Sequence, residues 1–140
     1  MRNRPLVTSL LVAVITLTSA PAALAAPNDV PPKGKDCWAT HYGSNEPEGQ
    51  PTASGEPYAS NKNTAATSLR RSPQLKFGSK VKVTNVMTGK NLIVKINDRM
   101  DDVWTHDAPK CLRLTNGAFR KLGGDTTADS HIVVKETVLG

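Results

Sequence analysis

The sequence predicts a mainly β protein, a small barrel that carries one short helix. Three observations lead to this fold class: short segments alternate apolar and polar residues, long stretches rich in Gly, Pro, Ser and Asn separate them, and one segment has helical periodicity. The 140 residues fit a single domain. Because no apolar run reaches the roughly 18 residues of a membrane-spanning helix, a membrane channel is excluded. Length and pattern also exclude a two-domain enzyme and a coiled coil.

Six short segments have the alternation or the β-branched content of strands. They are residues 37–42, 64–67, 80–85, 92–97, 111–114 and 131–138. In segment 80–85, Val81 and Val83 point to one side while the residues between them are polar, which predicts a half-buried strand. Residues 92–97 follow after a connection that contains Gly89, and glycine tolerates the positive φ of a hairpin turn. We therefore expect these two strands to pair.

One segment after residue 115 has the pattern of a short helix. Thr115 is a good N-cap residue, and the Gly pair at 123–124 is expected to end the helix. The apolar stripe between them consists of Ala118, Phe119 and Leu122. Residues 44–63 are rich in Gly, Pro, Ser and Asn and are predicted to form a long loop.

Residues 1–25 have the layout of a secretory signal peptide. Arg2 and Arg4 supply the positive start, residues 6–17 are mostly apolar, and residues 23–25 read Ala-Leu-Ala, a typical cleavage pattern. The alternative is an uncleaved membrane anchor, for which the apolar core is short. We therefore predict a secreted, extracellular protein.

Cleavage before Ala26 would leave a flexible arm at residues 26–36, rich in Pro and Lys, and a barrel domain at residues 37–140. Sixteen basic and twelve acidic residues remain in this part of the chain. This modest positive balance, without a basic stripe or interleaved aromatic residues, excludes a nucleic-acid partner. We expect no membrane partner and a monomer.

The two cysteines of the chain, Cys37 and Cys111, are predicted to form a disulfide. In an exported protein two cysteines are most simply one bridge, which here closes a loop of about 75 residues. The alternative is a free thiol nucleophile. Because the predicted core is thin, we expect the bridge to contribute substantially to stability.

An ordered series of motifs resembles a known superfamily. The motifs are Ala-Thr-His-Tyr-Gly at 39–43, Pro-Thr-Ala-Ser-Gly-Glu-Pro-Tyr at 51–58, Thr-Ala-Ala at 64–66, Phe-Gly-Ser-Lys-Val-Lys-Val-Thr-Asn at 77–85, Val-Lys-Ile-Asn-Asp-Arg at 94–99 and Leu-Arg-Leu-Thr at 112–115. The series resembles the double-psi β-barrel domains of rare lipoprotein A, the expansins and barwin. The resemblance implies a six-stranded double-psi β-barrel with a groove across one face. Some members cleave peptidoglycan strands without hydrolysis, and others bind or loosen glycans.

The acids that this family carries in its groove are only partly present here. Glu56 and Asp98 match the family pattern, whereas Ala59, Thr67 and Arg113 stand where it has an acid, a His and an Asp. Neither alanine nor threonine is a useful proton donor, and a guanidinium favours deprotonated neighbours. We therefore expect no catalytic activity. Asp98 is expected to bond turn amides or Arg99 and to hold a corner of the barrel, and Glu56 is expected to do the same in its loop.

Other chemistry-bearing residues give no second site. The three histidines, His41, His106 and His131, lack the i, i+4 spacing of metal ligands, and Gly89-Lys90 lacks the rest of a phosphate-binding loop. We predict no metal and no cofactor. Two roles are open for Trp104. It either packs within the protein, or it contacts a sugar or a protein partner.

The loss of groove acids favours a binding role, and the resemblance extends to small secreted barrels of this superfamily that inhibit papain-like cysteine proteases. We therefore expect inhibition of such a protease, and of a trypsin-like serine protease as a further target. Leu69 and Arg70 are predicted to enter the protease cleft, with Arg71 and Trp104 as further contacts. In the alternative, Arg70 and Arg71 form a solvated turn. A non-catalytic glycan-binding barrel and a peptidoglycan lytic transglycosylase are the other two candidate functions.

Exposed Lys and Gln side chains suggest a modification. Lys33 and Lys35 lie in the arm, and Gln50 lies in the predicted loop. We predict that a secreted transglutaminase cross-links the protein through these residues.

Overall fold

The computed structural model describes residues 36–101 and 110–140. Its elements, in chain order, are strands β1 (Cys37–His41), β2 (Thr64–Ser68), β3 (Lys80–Asn85), β4 (Asn91–Met100) and β5 (Lys110–Leu114), helix α1 (Asn116–Lys121) and strand β6 (Ile132–Val138). The predicted signal segment, nearly all of the predicted arm, Trp104 and His106 lie outside the described residues. The division into leader, arm and barrel therefore stays a prediction.

The six strands form a closed barrel in the order β1-β5-β2-β4-β3-β6. Two neighbouring pairs, β1 with β5 and β2 with β4, are parallel, and the other four pairs are antiparallel. Closure gives every strand two hydrogen-bonded neighbours, so the barrel presents no free strand edge. For residues 36–101 and 110–140, the mainly β fold class with six strands and one helix is thus confirmed. Within the described ranges, no helix is long and apolar enough to span a membrane.

The inward-facing positions of the strands form one apolar core. Val81 and Val83 of β3 and Val94 and Ile96 of β4 are fully buried, as the alternation predicts. Phe119 of α1 closes the core against them and is the largest fully buried side chain. Each such side chain stabilises the fold by roughly 1.5–3 kcal/mol relative to full exposure.

Two strands carry an extra residue where they pair in parallel. In β4 the partners of Ala65 and Ala66 are Ile96 and Asp98, so Asn97 is skipped. In β5 the partners of Trp38 and Ala39 are Lys110 and Leu112, so Cys111 is skipped. A bulge of this kind shifts the alternation of the following side chains by one position.

The bulge in β4 explains why the strand is longer than predicted. The sequence predicted this strand over residues 92–97, from the alternation of Leu92, Val94 and Ile96. In the structure β4 continues to Met100, since Asp98, Arg99 and Met100 pair with β2.

The turn chemistry agrees with the sequence. Gly89 has φ of 75° in the β3–β4 hairpin, a conformation that other L residues adopt only with strain. The Thr115 hydroxyl accepts the backbone N–H of Ala118, which confirms the predicted N-cap. The helix ends before Gly123, which has φ of 90°.

The predicted disulfide is present and joins neighbouring strands. Cys37 of β1 and Cys111 of β5 are bonded across 74 positions of sequence, with their Cα atoms 5.7 Å apart. Both residues lie in the apolar core. The bridge therefore fixes the parallel β1–β5 pair beside the bulge at Cys111.

Replacing both cysteines by alanine should destabilise the protein by about 4 kcal/mol, since the unfolded chain then loses a cross-link that closes a long loop. The measurement is urea unfolding followed by circular dichroism. The reduced wild type should unfold at a similar urea concentration to the double variant. A loss below about 1 kcal/mol would contradict a structural role for the bridge.

Candidate functional site

Two tyrosine rings that pack against each other and one carboxylate form the centre of the candidate site. Tyr42 follows β1, Tyr58 lies in the loop before β2, and their ring centroids are 4.7 Å apart. Both rings are buried. The Tyr42 hydroxyl donates a hydrogen bond of 2.6 Å to Oδ2 of Asp98. The bulge at Asn97 sets the direction of Asp98, so the local backbone of β4 places this carboxylate.

Asp98 also holds a loop against the barrel. Its Oδ1 accepts the backbone N–H groups of Ala53 and Arg99, both at 2.8 Å. The expectation that Asp98 bonds turn amides is therefore confirmed. Since both oxygens act as acceptors, the carboxylate ties β4 to the loop at residues 51–57.

Glu56 is placed differently from the prediction. Its carboxylate accepts a hydrogen bond from Lys95 Nζ at 2.8 Å and one from Asn97 Nδ2 at 3.5 Å. The expectation that it bonds amides of its own loop is wrong, because both carboxylate oxygens accept from side chains of β4. The hydrogen bond from Lys95 lowers the pKa of the Glu56 carboxyl below its usual value.

The three residues that depart from the family pattern lie in different environments. Thr67 is fully buried and donates to the carbonyl of Cys111 at 3.1 Å, so it is a structural residue. Ala59 is partly exposed and offers no titratable group. Arg113 lies beside the centre, with its guanidinium carbon 5.9 Å from the centroid of the Tyr42 ring.

A shallow polar groove opens beside Tyr42. The depression has a volume of about 300 Å³. It is lined by Thr40, His41, Tyr42, Gly43, Glu46, Lys110, Arg113 and Asp129. A second depression of about 250 Å³ shares His41, Gly43 and Asp129 with the first and continues along residues 126–128. A continuous groove lined by polar groups suits a ligand rich in hydroxyl groups.

His41 forms the floor between the two depressions, a role that the sequence analysis missed. Its Nδ1 lies 2.7 Å from the carbonyl oxygen of Tyr42 and 3.1 Å from Oδ1 of Asn116, and its Nε2 lies 3.0 Å from the carbonyl oxygen of Ala128. The ring packs on Phe119 with centroids 4.8 Å apart. The partners Asn116 and Ala128 belong to α1 and to the loop before β6. Because both are distant from His41 in sequence, no local pattern predicts these contacts.

The described residues contain one close group of possible metal ligands, Cys37, Cys111 and Glu136. The two sulfur atoms of this group are bonded to each other, so they offer no thiolate to a metal. His131, at the start of the last strand, packs against Trp38 with ring centroids 5.0 Å apart.

The predicted protease-contact residues divide into exposed and buried ones. Leu69 is 59% exposed. The side chain of Arg70 is also exposed and lies 3.6 Å from Asp101. Arg71 instead forms two hydrogen bonds, of 3.0 and 2.7 Å, to the Glu136 carboxylate, and both side chains are only 10% exposed.

Arg71 is therefore neither a contact residue nor part of a solvated turn. The sequence could not indicate this, because the partner, Glu136, lies 65 positions away on β6. A buried ion pair of this geometry fixes the backbone that carries its members. Trp104, the remaining predicted contact, lies outside the described residues.

The predicted cross-linking residues are tested only in part. Gln50 is exposed in the loop between β1 and β2, and its backbone is fixed by hydrogen bonds to Pro47 and Tyr58. Lys33 and Lys35 lie outside the described residues. Cross-linking by a transglutaminase stays a prediction.

Comparison with other sequences points to one curated relative. The chain is 40% identical over 75 residues to the probable endolytic peptidoglycan transglycosylase RlpA of a Nostoc species. The alignment covers 54% of this chain and 18% of the relative, so the chain spans less than a fifth of that protein. No protein-family model matches the chain.

Comparison with solved structures points to expansins. The expansin of Clavibacter michiganensis has a TM-score of 0.51 and 24% identity, covering 76% of this chain and half of that one. A variant of that expansin in complex with cellohexaose has a TM-score of 0.52 and 22% identity over the same shares. Together with the closed six-stranded barrel, these similarities show that the fold is a double-psi β-barrel like that of the expansins.

The tyrosine centre predicts an unusual alkaline titration. Burial, followed by the hydrogen bond to Asp98, raises the pKa of Tyr42 far above its ordinary value of 10.0. Burial also raises the pKa of Tyr58, and these are the two tyrosines of the chain. The fold favours the neutral phenols, so the stability they contribute is present below pH 10 and is lost as the pH rises above it. Tyrosinate absorbance should therefore stay low above pH 10 and increase together with unfolding.

Asp98 is tested with Tyr42 as the remaining reporter. In a Tyr58→Phe background, Asp98→Asn should lower the pKa of Tyr42, because the variant removes the negative charge that disfavours tyrosinate. The control is Glu56→Gln in the same background. An unchanged titration curve in Asp98→Asn would contradict the Tyr42–Asp98 contact.

Proposed function

We propose that the protein is an exported, non-catalytic barrel that binds a cell-wall glycan in the groove beside Tyr42. The observation that carries the proposal is the use of Asp98 as a structural acceptor next to the groove residue Tyr42. Ala59, Thr67 and Arg113 stand where the resemblance implies an acid, a His and an Asp. The fold supports a glycan-binding scaffold, and the residues of its groove disfavour cleavage.

Glycoside cleavage requires a group that protonates the leaving oxygen. The lowered pKa of Glu56 keeps this carboxylate without a proton at neutral pH. Both carboxylate oxygens of Asp98 already accept hydrogen bonds, from the Tyr42 hydroxyl and from backbone amides. Neither carboxylate is therefore placed as a proton donor.

The groove retains what binding requires. Its lining offers both donors and acceptors to sugar hydroxyls, and the floor at His41 is held by hydrogen bonds to two separate elements. The peptidoglycan named for the RlpA relative and the cellohexaose bound to the expansin variant support a glycan as the ligand class. The leader-like segment 1–25 and the Cys37–Cys111 disulfide support export.

Binding without turnover is the decisive test. The protein should sediment with purified peptidoglycan or with cellulose and should release no soluble fragments from either polymer. Gly43 lines both depressions, and an added Cβ there has open space, with the nearest atom 4.0 Å away. Gly43→Trp should therefore fill the groove and weaken binding at least about tenfold, the loss of a hot-spot contact.

The matched control is Ile93→Trp, which adds a similar ring at an exposed position of β4 where that strand pairs with β3. This variant should bind like the wild type. Failure of the wild type to bind either polymer would overturn the proposal. Release of fragments that stops in Asp98→Asn would replace it with a lytic enzyme.

Inhibition of a cysteine protease is a second candidate function, favoured by the loop after β2. Leu69 and Arg70 are exposed on a loop whose base is fixed by the Arg71–Glu136 ion pair. Gln74 Nε2 donates to the carbonyl of Ser68, which fixes the loop further. A rigid exposed loop enters a cleft with little loss of conformational entropy.

The loop is tested by titrating the protein into papain and into trypsin with a fluorogenic peptide substrate. Exchanging both Leu69 and Arg70 for alanine should weaken inhibition at least about tenfold, since these are the exposed side chains predicted to enter the cleft. The control replaces Val86 and Lys90, an exposed apolar and cationic pair in the β3–β4 hairpin, and should inhibit like the wild type. Absent inhibition, or equal inhibition by both variants, would remove this candidate.

A further inference from the structure

Strand β5 presents two cations to the groove because of its bulge. In a regular strand, residues 110 and 113 would point to opposite faces. The skipped residue Cys111 shifts the alternation, and Lys110 and Arg113 both line the depression beside Tyr42. The following residues Leu112 and Leu114 point into the core.

The remaining charged residues of the groove come from loops. Glu46 belongs to the loop after β1, and Asp129 belongs to the loop before β6. Within residues 36–101 and 110–140, the side chains of Lys110, Glu46 and Asp129 form no ion pair within 4.0 Å with another residue. Among the described residues, no neighbour neutralises these three charges.

We infer that the groove selects acidic glycans, with an oxyanion of the ligand bound between Lys110 and Arg113 and its hydroxyl groups directed to Glu46 and Asp129. The inference rests on the proposed glycan-binding function and adds the ligand class. Guanidinium donors form paired, charge-assisted hydrogen bonds with carboxylate or phosphate oxygens, and an ammonium group adds a second positive charge. Carboxylate side chains accept hydrogen bonds from sugar hydroxyls.

The groove cations differ in position from the other exposed cations of the barrel. Arg113 lies beside Tyr42, whose hydroxyl contacts Asp98, so a bound anion would lie next to the centre of the site. The other exposed lysines of the barrel, such as Lys80 and Lys82 of β3, lie three strands away from β5 around the closed barrel.

Three forms of one polymer distinguish the sources of the oxyanion: cellulose, carboxymethylcellulose and phosphocellulose. Wild-type protein should bind carboxymethylcellulose or phosphocellulose at least about tenfold more tightly than cellulose, and the preference should decrease with added salt. The better of the two acidic forms identifies carboxylate or phosphate as the recognised group.

Variants separate the groove from ordinary charge attraction. Lys110→Gln combined with Arg113→Gln should remove the preference for the acidic polymer. Lys80→Gln combined with Lys82→Gln changes the net charge equally on the opposite side of the barrel and should keep the preference. Lys110→Gln alone should reduce the preference for the acidic polymer in part. Circular dichroism verifies that each variant is folded.

The outcomes separate this inference from the proposed function. Equal binding to all three polymers, or an equal loss in both double variants, overturns the selectivity for acidic glycans and leaves glycan binding intact. Binding to none of the three polymers, together with none to peptidoglycan, overturns the proposed function and this inference with it.

Discussion

Closure of the barrel through two parallel strand pairs is the constraint on which the site depends. Each parallel pair contains one skipped residue, Asn97 in β4 and Cys111 in β5. The first bulge directs Asp98 toward Tyr42, and the second brings Lys110 and Arg113 to the same side. Because the backbone is held by neighbours on both sides, these directions cannot relax without opening the barrel. The disulfide at Cys111 fixes the second bulge covalently.

The two carboxylates that match the family pattern act together as a clamp. Asp98 on β4 accepts from the amide of Ala53, and Glu56 in the facing loop accepts from Lys95 on β4. The contacts run in both directions between strand and loop, so the loop at residues 51–57 is held at two points. Both carboxylates therefore hold this loop in position against the barrel.

The adjacent residues Arg70 and Arg71 differ in burial. Arg70 is exposed beside Asp101, whereas Arg71 is buried in a bidentate pair with Glu136. A buried arginine needs a partner, and the partner is supplied by a strand far away in sequence. The exposed arginine and the leucine before it lie directly next to this anchored residue.

The sequence by itself determined the fold class, the strands, the helix with its Thr115 cap, the Gly89 hairpin and the Cys37–Cys111 bridge. These features follow from local alternation, turn chemistry and the count of cysteines, so they can be read along the chain. The tertiary structure alone decided the partners of Glu56 and Arg71, the role of His41 as the groove floor and the shared direction of Lys110 and Arg113. Those outcomes depend on bulges and on contacts between distant strands, which a linear pattern does not encode.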